Sequence, residues 1–285
     1  MKLLLSSDME GISGIVDWTH VTPGHAEYMT RGRKLMTGDV NAAINGAFEG
    51  GADEVLVSDA HWNATNILIE ELDPRAKLNS GSPSPFSMIG GVDDMPPPDA
   101  LMFVGYHAMA GTKKAILDHT WSDSRIRAVY LNDRLVGEIG LNAALAGHFG
   151  IPVIAMSGDQ HACEEGQTFL GPELEIAVVK NATSHQAATL LPLAEAREKI
   201  CEAAARAVIK LREGKAAKPF KIESPVRLAV DFVYTRHCDR AYLIPGTERP
   251  STGSGQVSGT RLEYTAPDMV VAHRTFRAMS TIARD

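Results

Sequence analysis

Two carboxylates stand two residues apart near the start of the chain, directly after a short apolar run. Residues 3–5 are all Leu and predict a buried strand, and Asp8 and Glu10 follow it before a turn containing Gly11 and Gly14. In an extended backbone, side chains alternate, so Asp8 and Glu10 point to the same side. Neighbouring carboxylates repel unless a cation or a shared proton neutralises them. The stretch therefore predicts either a cation site or a solvated strand end.

Two histidines follow later apolar segments in the same way. His61 comes after the predicted strand 54–58, and His107 comes after the predicted strand 100–104. Imidazole together with carboxylate is the ligand set of zinc, manganese or iron, whereas calcium prefers oxygen alone. A single histidine at a strand end is more often structural, but two of them beside a paired-acid strand favour a transition-metal site.

Three carboxylates and two imidazoles from four segments form the candidate ligand set, namely Asp8, Glu10, His61, His107 and Glu138. This number and mixture would suit two metal ions that share one carboxylate, as in two-metal hydrolases. Taken alone, Glu138 is typical of an acid that complements the dipole at a helix N-terminus.

Further candidates for catalysis or for metal ligation are other histidines and one acid. His119 follows His107 in a polar, Gly-containing loop and is the candidate acid, base or nucleophile. Asp159 and His161 follow a further predicted strand, and each could be a metal ligand or a residue that orients a ligand. The remaining histidines lie in polar loops or on helices and are predicted at the surface: His20, His25, His148, His185, His237 and His273.

The predicted strands and helices around these residues place them at one edge of a sheet. A helix over 33–48 ends at Gly50 and Gly51 and separates the strand 3–5 from the strand 54–58. Strand–helix–strand order implies parallel pairing with a right-handed crossover. His61 and His107 therefore leave the sheet at the edge where Asp8 does, and open α/β sheets bind ligands at that edge.

The remaining segments continue the alternation and then change in character. A hairpin turn at Asn132 and Asp133 precedes a helix over 137–146, strands over 152–156 and 175–180, and a helix over 193–211. Strands over 227–233 and 261–265 flank a Gly/Ser/Thr-rich connection, 246–259, before a last helix over 268–283. Segments 17–32 and 80–98 are predicted as loops, and 67–76 as an ambiguous segment with helical character.

These elements predict an α/β fold with a mostly parallel sheet flanked by helices and a smaller C-terminal α+β portion. The expected division is a metal-binding catalytic domain over 1–190 and a smaller portion over 191–285, a candidate for oligomer contacts. A chain of 285 residues has room for either one large or two moderate domains.

Composition limits the class of partner. The net charge of −7 argues against nucleic acid as the main partner, because phosphate binding needs a basic surface. No apolar run approaches the roughly 20 residues of a membrane span, and no signal-peptide core precedes Asp8, so the cytoplasm is expected. The three cysteines lack a CxxC pair and predict neither a disulfide framework nor a thiolate zinc site.

The motifs together resemble the D-aminopeptidase DppA family (peptidase family M55). The matching stretches are SDMEGISG at 7–14, VSDAH at 57–61, GYHA at 105–108, NDR at 132–134, VGE at 136–138, GLNA at 140–143 and LIPGTE at 243–248. The first stretch alone is moderately specific, whereas the combination is specific and covers nearly the whole chain.

The resemblance implies a zinc-dependent aminopeptidase that releases N-terminal D-amino acids from short peptides. It implies two zinc ions per chain on Asp8, Glu10, His61, His107 and Glu138, with Asp8 bridging, and it places the catalytic histidine at His119. It also implies a decameric ring of two stacked pentamers.

Two other functions stay open at this point. Another metal-dependent hydrolase, such as a phosphoesterase, would need an additional Asn-His metal element and basic phosphate contacts, and no Gly-Asn-His stretch is present. A non-catalytic, metal-stabilised ring protein that binds peptides would hold zinc with its coordination saturated.

Overall fold

Strands and helices alternate along most of the chain. The computed structural model describes residues 1–251 and 257–284. Its strands are β1 (Lys2–Ser7), β2 (Glu54–Asp59), β3 (Ala76–Asn79), β4 (Ala100–Tyr106), β5 (Ile126–Leu131), β6 (Arg134–Val136), β7 (Val153–Asp159), β8 (Glu175–Ser184), β9 (Ala187–Leu190), β10 (Val226–Phe232) and β11 (Arg261–Ala266). Its α-helices are α1 (Trp18–Val21), α2 (Arg33–Glu49), α3 (Glu138–His148), α4 (Gln160–Leu170), α5 (Leu193–Arg212), α6 (Thr235–Ala241) and α7 (Met269–Ile282).

The larger sheet has its first strand near the centre. Its order is β3-β2-β1-β4-β7-β8-β9, and every pairing is parallel except that of β8 with β9. Since β1 lies between β2 and β4, the three strands that precede Asp8, His61 and His107 are direct neighbours. This topology brings the three side chains together.

Helices cover both faces of the larger sheet, which explains why its inner strands β1, β4 and β7 are almost fully buried. Leu3 and Leu5 pack in a core with α2 and α5, whereas Leu4 points to the opposite face and packs in a core with α3 and α4. All three side chains are fully buried. Within the described residues, no helix combines the length and apolar character that crossing a membrane requires.

The smaller sheet is antiparallel, in the order β11-β10-β5-β6, and α7 packs on β10, β11 and α3. Its β5–β6 hairpin turns at Asn132 and Asp133, whose φ angles are 47° and 65°. Both angles are positive, as a two-residue type I′ turn requires. The hairpin leads directly into α3 and so determines where Glu138 begins that helix.

The predicted fold class is confirmed, and the predicted helices α2, α3, α5 and α7 form within a few residues of the expected bounds. The loop expected over 17–32 is wrong, because it contains α1, capped by the Asp17 side chain, and a π-helical turn over Tyr28–Gly32. The ambiguous segment 67–76 forms turns that lead into β3, and β3, β9, α4 and α6 are not among the predicted elements.

The division at residue 190 stays a prediction, and two packing relationships cross it. Helix α5 packs on α2 and β8, and the smaller sheet combines β5 and β6 with β10 and β11. Residues 252–256 of the predicted Gly/Ser/Thr-rich connection lie outside the described residues.

Candidate metal centre

Five of the predicted site residues meet at the carboxyl edge of the larger sheet. Asp8 directly follows β1, His61 lies just beyond β2, His107 directly follows β4, and Glu138 is the first residue of α3. Glu10 lies in the turn after β1. All five side chains are buried, with exposures between 1% and 6%. Burying three carboxylates together is costly unless positive charge is placed among them.

One half of the centre is formed by Asp8, Glu10 and His61, whose ligand atoms all lie within 4.8 Å of one another. His61 Nδ1 is 3.2 Å from Asp8 Oδ1 and 3.3 Å from Glu10 Oε2. Glu10 Oε2 has no hydrogen-bond donor among the described residues. This trio presents two carboxylate oxygens and one imidazole nitrogen to a single point.

The other half is formed by His107, His119 and Glu138, which meet the same 4.8 Å limit. His107 Nε2 is 3.3 Å from Glu138 Oε1 and 3.3 Å from Asp8 Oδ2, and His119 Nε2 is 3.7 Å from Glu138 Oε1. The two oxygens of Asp8 therefore face different halves, Oδ1 the first and Oδ2 the second. Asp8 is the one carboxylate placed between them.

Backbone carbonyl groups fix the orientation of all three imidazoles. In each ring one nitrogen is within hydrogen-bonding distance of a carbonyl oxygen: His61 Nε2 is 2.8 Å from Val21, His107 Nδ1 is 3.0 Å from Ala108, and His119 Nδ1 is 2.8 Å from Leu117. A neutral ring that donates to its carbonyl group turns a lone pair toward the carboxylates. This arrangement holds a histidine for metal ligation.

The donor atoms fit zinc. Two ligand atoms of one tetrahedral zinc, each about 2.0–2.2 Å from the ion, lie about 3.3–3.6 Å apart. The imidazole–carboxylate distances around Asp8 are 3.2–3.3 Å, whereas a charge-assisted hydrogen bond would be about 2.7–2.9 Å. Asp8 Oδ2, Glu10 Oε2 and His107 Nε2 are buried without a hydrogen-bond partner in the described part of the chain. Bound cations would satisfy all three atoms.

The pKa shifts of Asp8, His61 and His107 also result from burying several carboxylates close together. Burial, together with the charge of Glu10, raises the pKa of Asp8 to about 7. Burial would lower the pKa of His61 and His107, but the surrounding carboxylates outweigh it and raise both pKa values well above the ordinary range. The centre therefore takes up positive charge, and metal ions would replace the protons held by the two imidazoles.

His119 behaves differently from the other two imidazoles. Burial, reinforced by the charge of His107, lowers the pKa of His119. Its ring stacks on that of His107 with centroids 4.1 Å apart and meets the edge of Trp18 at 5.5 Å. A neutral His119 with its Nε2 lone pair facing the centre can accept a proton.

The loop that carries His119 holds left-handed backbone on both sides of it. Leu117 has a φ of 50° and Trp121 a φ of 64°, values that side-chain-bearing residues seldom adopt. Leu117 uses its carbonyl group to orient His119, and the Trp121 backbone N–H donates to Glu138 Oε1 at 2.7 Å. The strained residues are those that aim main-chain groups at the site.

A buried lysine that no sequence pattern indicates as part of the site supports the turn after β1. Lys180 on β8 is fully buried, and its Nζ donates to the carbonyl oxygens of Glu10, Ile12 and Ile15 at 2.6, 2.8 and 2.7 Å. All three ammonium donors are used. Sequence reasoning missed it because a lysine within a predicted strand normally indicates a solvent-facing position.

Close backbone packing explains the glycine that follows Glu10. A Cβ at Gly11 would lie 2.0 Å from the carbonyl oxygen of Tyr106, and the Gly11 N–H donates to the carbonyl group of Gly105 at 2.8 Å. The turn after β1 thus lies directly against the end of β4. This contact sets the position of Glu10 relative to His107.

Asp159 and His161 lie outside the cluster. Asp159 Oδ1 caps α4 by accepting from the N–H groups of His161 and Ala162, and its Oδ2 accepts from Ile116 N–H at 2.8 Å. His161 instead pairs with Glu164. Asp159 therefore supports the loop of His119 from β7.

The surface prediction for His237 and His273 is wrong, because both are buried, at 1% and 0% exposure.

The metal centre opens into a cavity of about 430 Å³. Its rim includes three tryptophans, Trp18, Trp62 and Trp121, and Trp62 is 66% exposed. Serine and arginine side chains line much of the remaining wall: Ser82, Ser87, Ser122, Ser124, Arg125, Arg277 and Arg284. This volume lies within the range of small-ligand sites.

The sequence and the fold both match known D-aminopeptidases. A model of peptidase family M55, described as D-aminopeptidase, matches residues 1–278. The D-aminopeptidase of Bacillus subtilis (strain 168) is 38% identical over 283 residues, which cover 99% of this chain and 98% of that protein. The chain belongs to the M55 family of D-aminopeptidases. The predicted family and the predicted enzyme class, a hydrolase of this family, are confirmed.

A solved structure agrees with this family assignment. The Zn-dependent D-aminopeptidase DppA from Bacillus subtilis, described as a self-compartmentalizing protease, superposes with a TM-score of 0.91 at 37% identity. The match covers 99% of this chain and 98% of that chain. The M55 fold thus extends over essentially the whole length of both proteins.

Proposed function

We propose that this M55 peptidase is a zinc-dependent D-aminopeptidase that hydrolyses the N-terminal peptide bond of short peptides through a dinuclear metal centre. The observation that carries the proposal is the arrangement around Asp8. Its two oxygens each lie 3.2–3.3 Å from an imidazole nitrogen of a different histidine, and both imidazoles are oriented from behind by a carbonyl group. Buried groups placed in this way match the demands of metal ligation.

The two halves of the centre support an assignment of the ligands. Asp8, Glu10 and His61 would hold one zinc, and Asp8, His107 and Glu138 the other, with Asp8 bridging. Zinc bound there would polarise the scissile carbonyl group and lower the pKa of a bound water. The relative described as Zn-dependent supports zinc as the metal.

The protein itself would position the substrate and transfer the proton. His119 Nε2 faces the centre while Nδ1 is held by Leu117, so His119 would take a proton from the attacking water and deliver it to the leaving amine. The free N-terminal amine of the peptide would coordinate one zinc or meet a carboxylate of the centre, which accounts for action at the N-terminus. The 430 Å³ cavity accommodates short peptides.

The first experiment compares two dipeptides and two states of the enzyme. Release of D-alanine from D-Ala-D-Ala and of L-alanine from L-Ala-L-Ala is measured with zinc-loaded and chelator-stripped protein. Zinc-dependent, D-selective release supports the proposal. L-selective release would contradict the D-preference while keeping the metal site, and no release from zinc-loaded protein would contradict peptidase action.

The same preparation separates the proposal from its rivals. Hydrolysis of nitrophenyl phosphate without hydrolysis of D-alanyl nitroanilide would indicate a phosphoesterase. Tight binding of two zinc ions with no turnover of either compound would indicate a peptide-binding protein. Zinc-dependent cleavage of the anilide alone excludes both alternatives.

The proposed assembly is a decameric ring in the cytoplasm. Support for an assembly comes from the relative described as self-compartmentalizing. Ten copies of the 30.7 kDa chain would give a particle of about 307 kDa. Light scattering coupled to size exclusion measures that mass, and a mass near that of one chain would contradict the proposal. The cytoplasmic location stays a prediction.

A further inference from the structure

The part of the cavity wall formed by α7 is positively charged. Arg277 and Thr281 on α7, and Arg284 just beyond its end, line the cavity. Spacings of four and three residues place them on one face of the helix. Arg125 lines the cavity as well, from the turn before β5. Apart from the metal ligands, Asp123 is the one acid among the described lining residues. The cavity lining thus combines the candidate metal ligands with a basic region at α7.

Arg277 is held in place by carbonyl groups rather than by an acid. Its Nη1 donates to the carbonyl oxygens of Ser84 and Pro85, and the side chain is half-buried. Within residues 1–251 and 257–284, its Nε and Nη2 meet no acceptor, and no carboxylate lies within ion-pair distance of it. Burial lowers the pKa of Arg277, as expected for a cation without an anionic neighbour.

Arg277 shares this kind of environment with Arg33, which donates to the carbonyl oxygens of Asn66 and Thr65 but lies outside the cavity lining. It differs in this respect from other arginines in the chain. Several of them pair with a carboxylate, namely Arg75 with Asp73, Arg206 with Glu175, Arg227 with Asp133, Arg249 with Asp239, and Arg261 with Glu263. An oriented guanidinium that lines a cavity and has unused N–H groups offers the planar pair of donors that suits a carboxylate.

We propose that Arg277 is a specificity-determining residue that binds a carboxylate of the peptide substrate, namely the C-terminal carboxylate of a short peptide whose N-terminus lies at the metal centre. The inference rests on the proposed function. An unblocked peptide carries an amine at one end, which the metal centre would hold, and a carboxylate at the other, to which the basic region of the cavity at α7 is complementary. The enzyme would thereby prefer peptides short enough for both ends to be bound.

A structural explanation of Arg277 makes a different forecast. Its contacts with the carbonyl groups of Ser84 and Pro85 also join α7 to the loop before β4, and in that role Arg277 would be indifferent to whether the substrate carries a carboxylate. The discriminating quantity is therefore the ratio of kcat/KM for a free-acid peptide to kcat/KM for its C-terminal amide.

The test uses zinc-loaded enzyme with D-Ala-D-Ala and D-Ala-D-Ala amide. In the wild type we expect the free acid to be preferred by about tenfold or more, mostly through KM, the size of effect that a charge-assisted hydrogen bond supplies. In Arg277→Met the ratio should fall toward one, and in Arg277→Lys, which keeps the charge and loses the planar fork, it should be intermediate. Arg274→Met is the matched control, because Arg274 lies one turn earlier on α7 and outside the cavity lining and should keep the wild-type ratio.

Each outcome decides between the explanations. Equal cleavage of acid and amide by the wild type would overturn the inference and leave the proposed function intact, whereas no cleavage of either peptide would overturn the proposed function itself. An equal loss on both peptides in Arg277→Met would show a structural role and overturn the inference. Selective cleavage of D-Ala-D-Glu amide that depends on Arg277 would keep carboxylate recognition and assign it to a side chain. If Arg277→Met fails to fold, the wild-type pair and Arg277→Lys still decide.

Discussion

Trp121 donates its backbone N–H to Glu138 Oε1 at 2.7 Å, and it does so from a left-handed conformation with a φ of 64°. The same oxygen lies 3.3 Å from His107 Nε2. Trp121 packs its ring edge-on against Phe276 of α7 at 5.1 Å, which holds the strained backbone in place. The orientation of Glu138 therefore depends on a residue two positions beyond His119, so that the loop of His119 and the second half of the centre are built as one unit.

Glu138→Gln should weaken metal binding in the second half of the centre. The amide oxygen can still accept the Trp121 N–H, so the fold should be preserved, but the negative charge is lost. We expect zinc content to fall from two ions per chain to about one, and kcat/KM to fall by a factor of about 100 or more. Elemental analysis after dialysis and the rate of D-Ala-D-Ala cleavage measure the two effects.

A matched control for Glu138→Gln is Glu164→Gln. Glu164 is an exposed acid that pairs with His161, away from the centre. Retention of two zinc ions in both variants would contradict the assignment of Glu138 as a ligand.

His119→Ala should lower kcat by about 10²–10⁴-fold while zinc remains bound, since proton transfer contributes about that much to a rate. Because the pKa of His119 is lowered, its neutral form persists to lower pH, and wild-type activity should hold to a pH below the ordinary histidine range. A pH–rate profile and single-turnover rates measure this. His161→Ala is the control, and a wild-type rate in His119→Ala would exclude His119 from proton transfer.

Lys180→Met should destabilise the fold by about 3–5 kcal/mol, because it leaves the carbonyl groups of Glu10, Ile12 and Ile15 buried without donors. The turn that carries Glu10 would loosen, so zinc affinity should fall as well. Urea denaturation and competition with a chelating dye measure the two effects. Lys199→Met, at an exposed position on α5, should change neither the stability nor the zinc affinity. Equal stability of the two variants would show that the three hydrogen bonds of Lys180 are not needed for stability.

His273→Leu should remove part of the acid sensitivity of the fold. His273 is fully buried beside Trp121, neither ring nitrogen has a hydrogen-bond partner among the described residues, and burial, with Arg277 and Arg274 nearby, lowers its pKa to about 3. The unfolded chain binds a proton near pH 6.5 and the folded chain does not, so stability is complete above that pH and is lost as the pH falls from 6.5 toward 3.

When the pH falls from 7 to 4.5, the free energy of unfolding should decrease by about 2–3 kcal/mol more in the wild type than in His273→Leu. Chemical denaturation at both pH values gives the difference. His148→Leu, at an exposed histidine on α3, is the control. Parallel loss of stability in the wild type and His273→Leu would show that His273 is not the sensitive group.

The edge at which Asp8, His61 and His107 meet could be predicted from the sequence for a simple reason. Strand–helix–strand order forces parallel pairing, and parallel strands end together. His119 and Glu138 are candidates by residue type, but only the resemblance assigns their roles, because a long loop and a hairpin bring them to the site.

Other features had no local signal. The edge strands β3 and β9 are four residues each, too short for a periodic pattern to identify them. Polarity alone misassigned His273, since a histidine buried by tertiary packing looks the same in sequence as one at the surface. Lys180 likewise depends on three carbonyl groups that lie about 170 positions earlier in the chain.

The pairing of β5 with β10 has a consequence for when the metal centre can assemble during synthesis. Residues 126–136 lead into Glu138, but the sheet that supports them is completed only by residues 226–232 and 261–266. On the ribosome, a nascent chain that already holds Asp8, Glu10, His61 and His107 still lacks the partner strands that position Glu138. The strands that support Glu138 are therefore complete only after residues 261–266 have been synthesised, well after Glu138 itself.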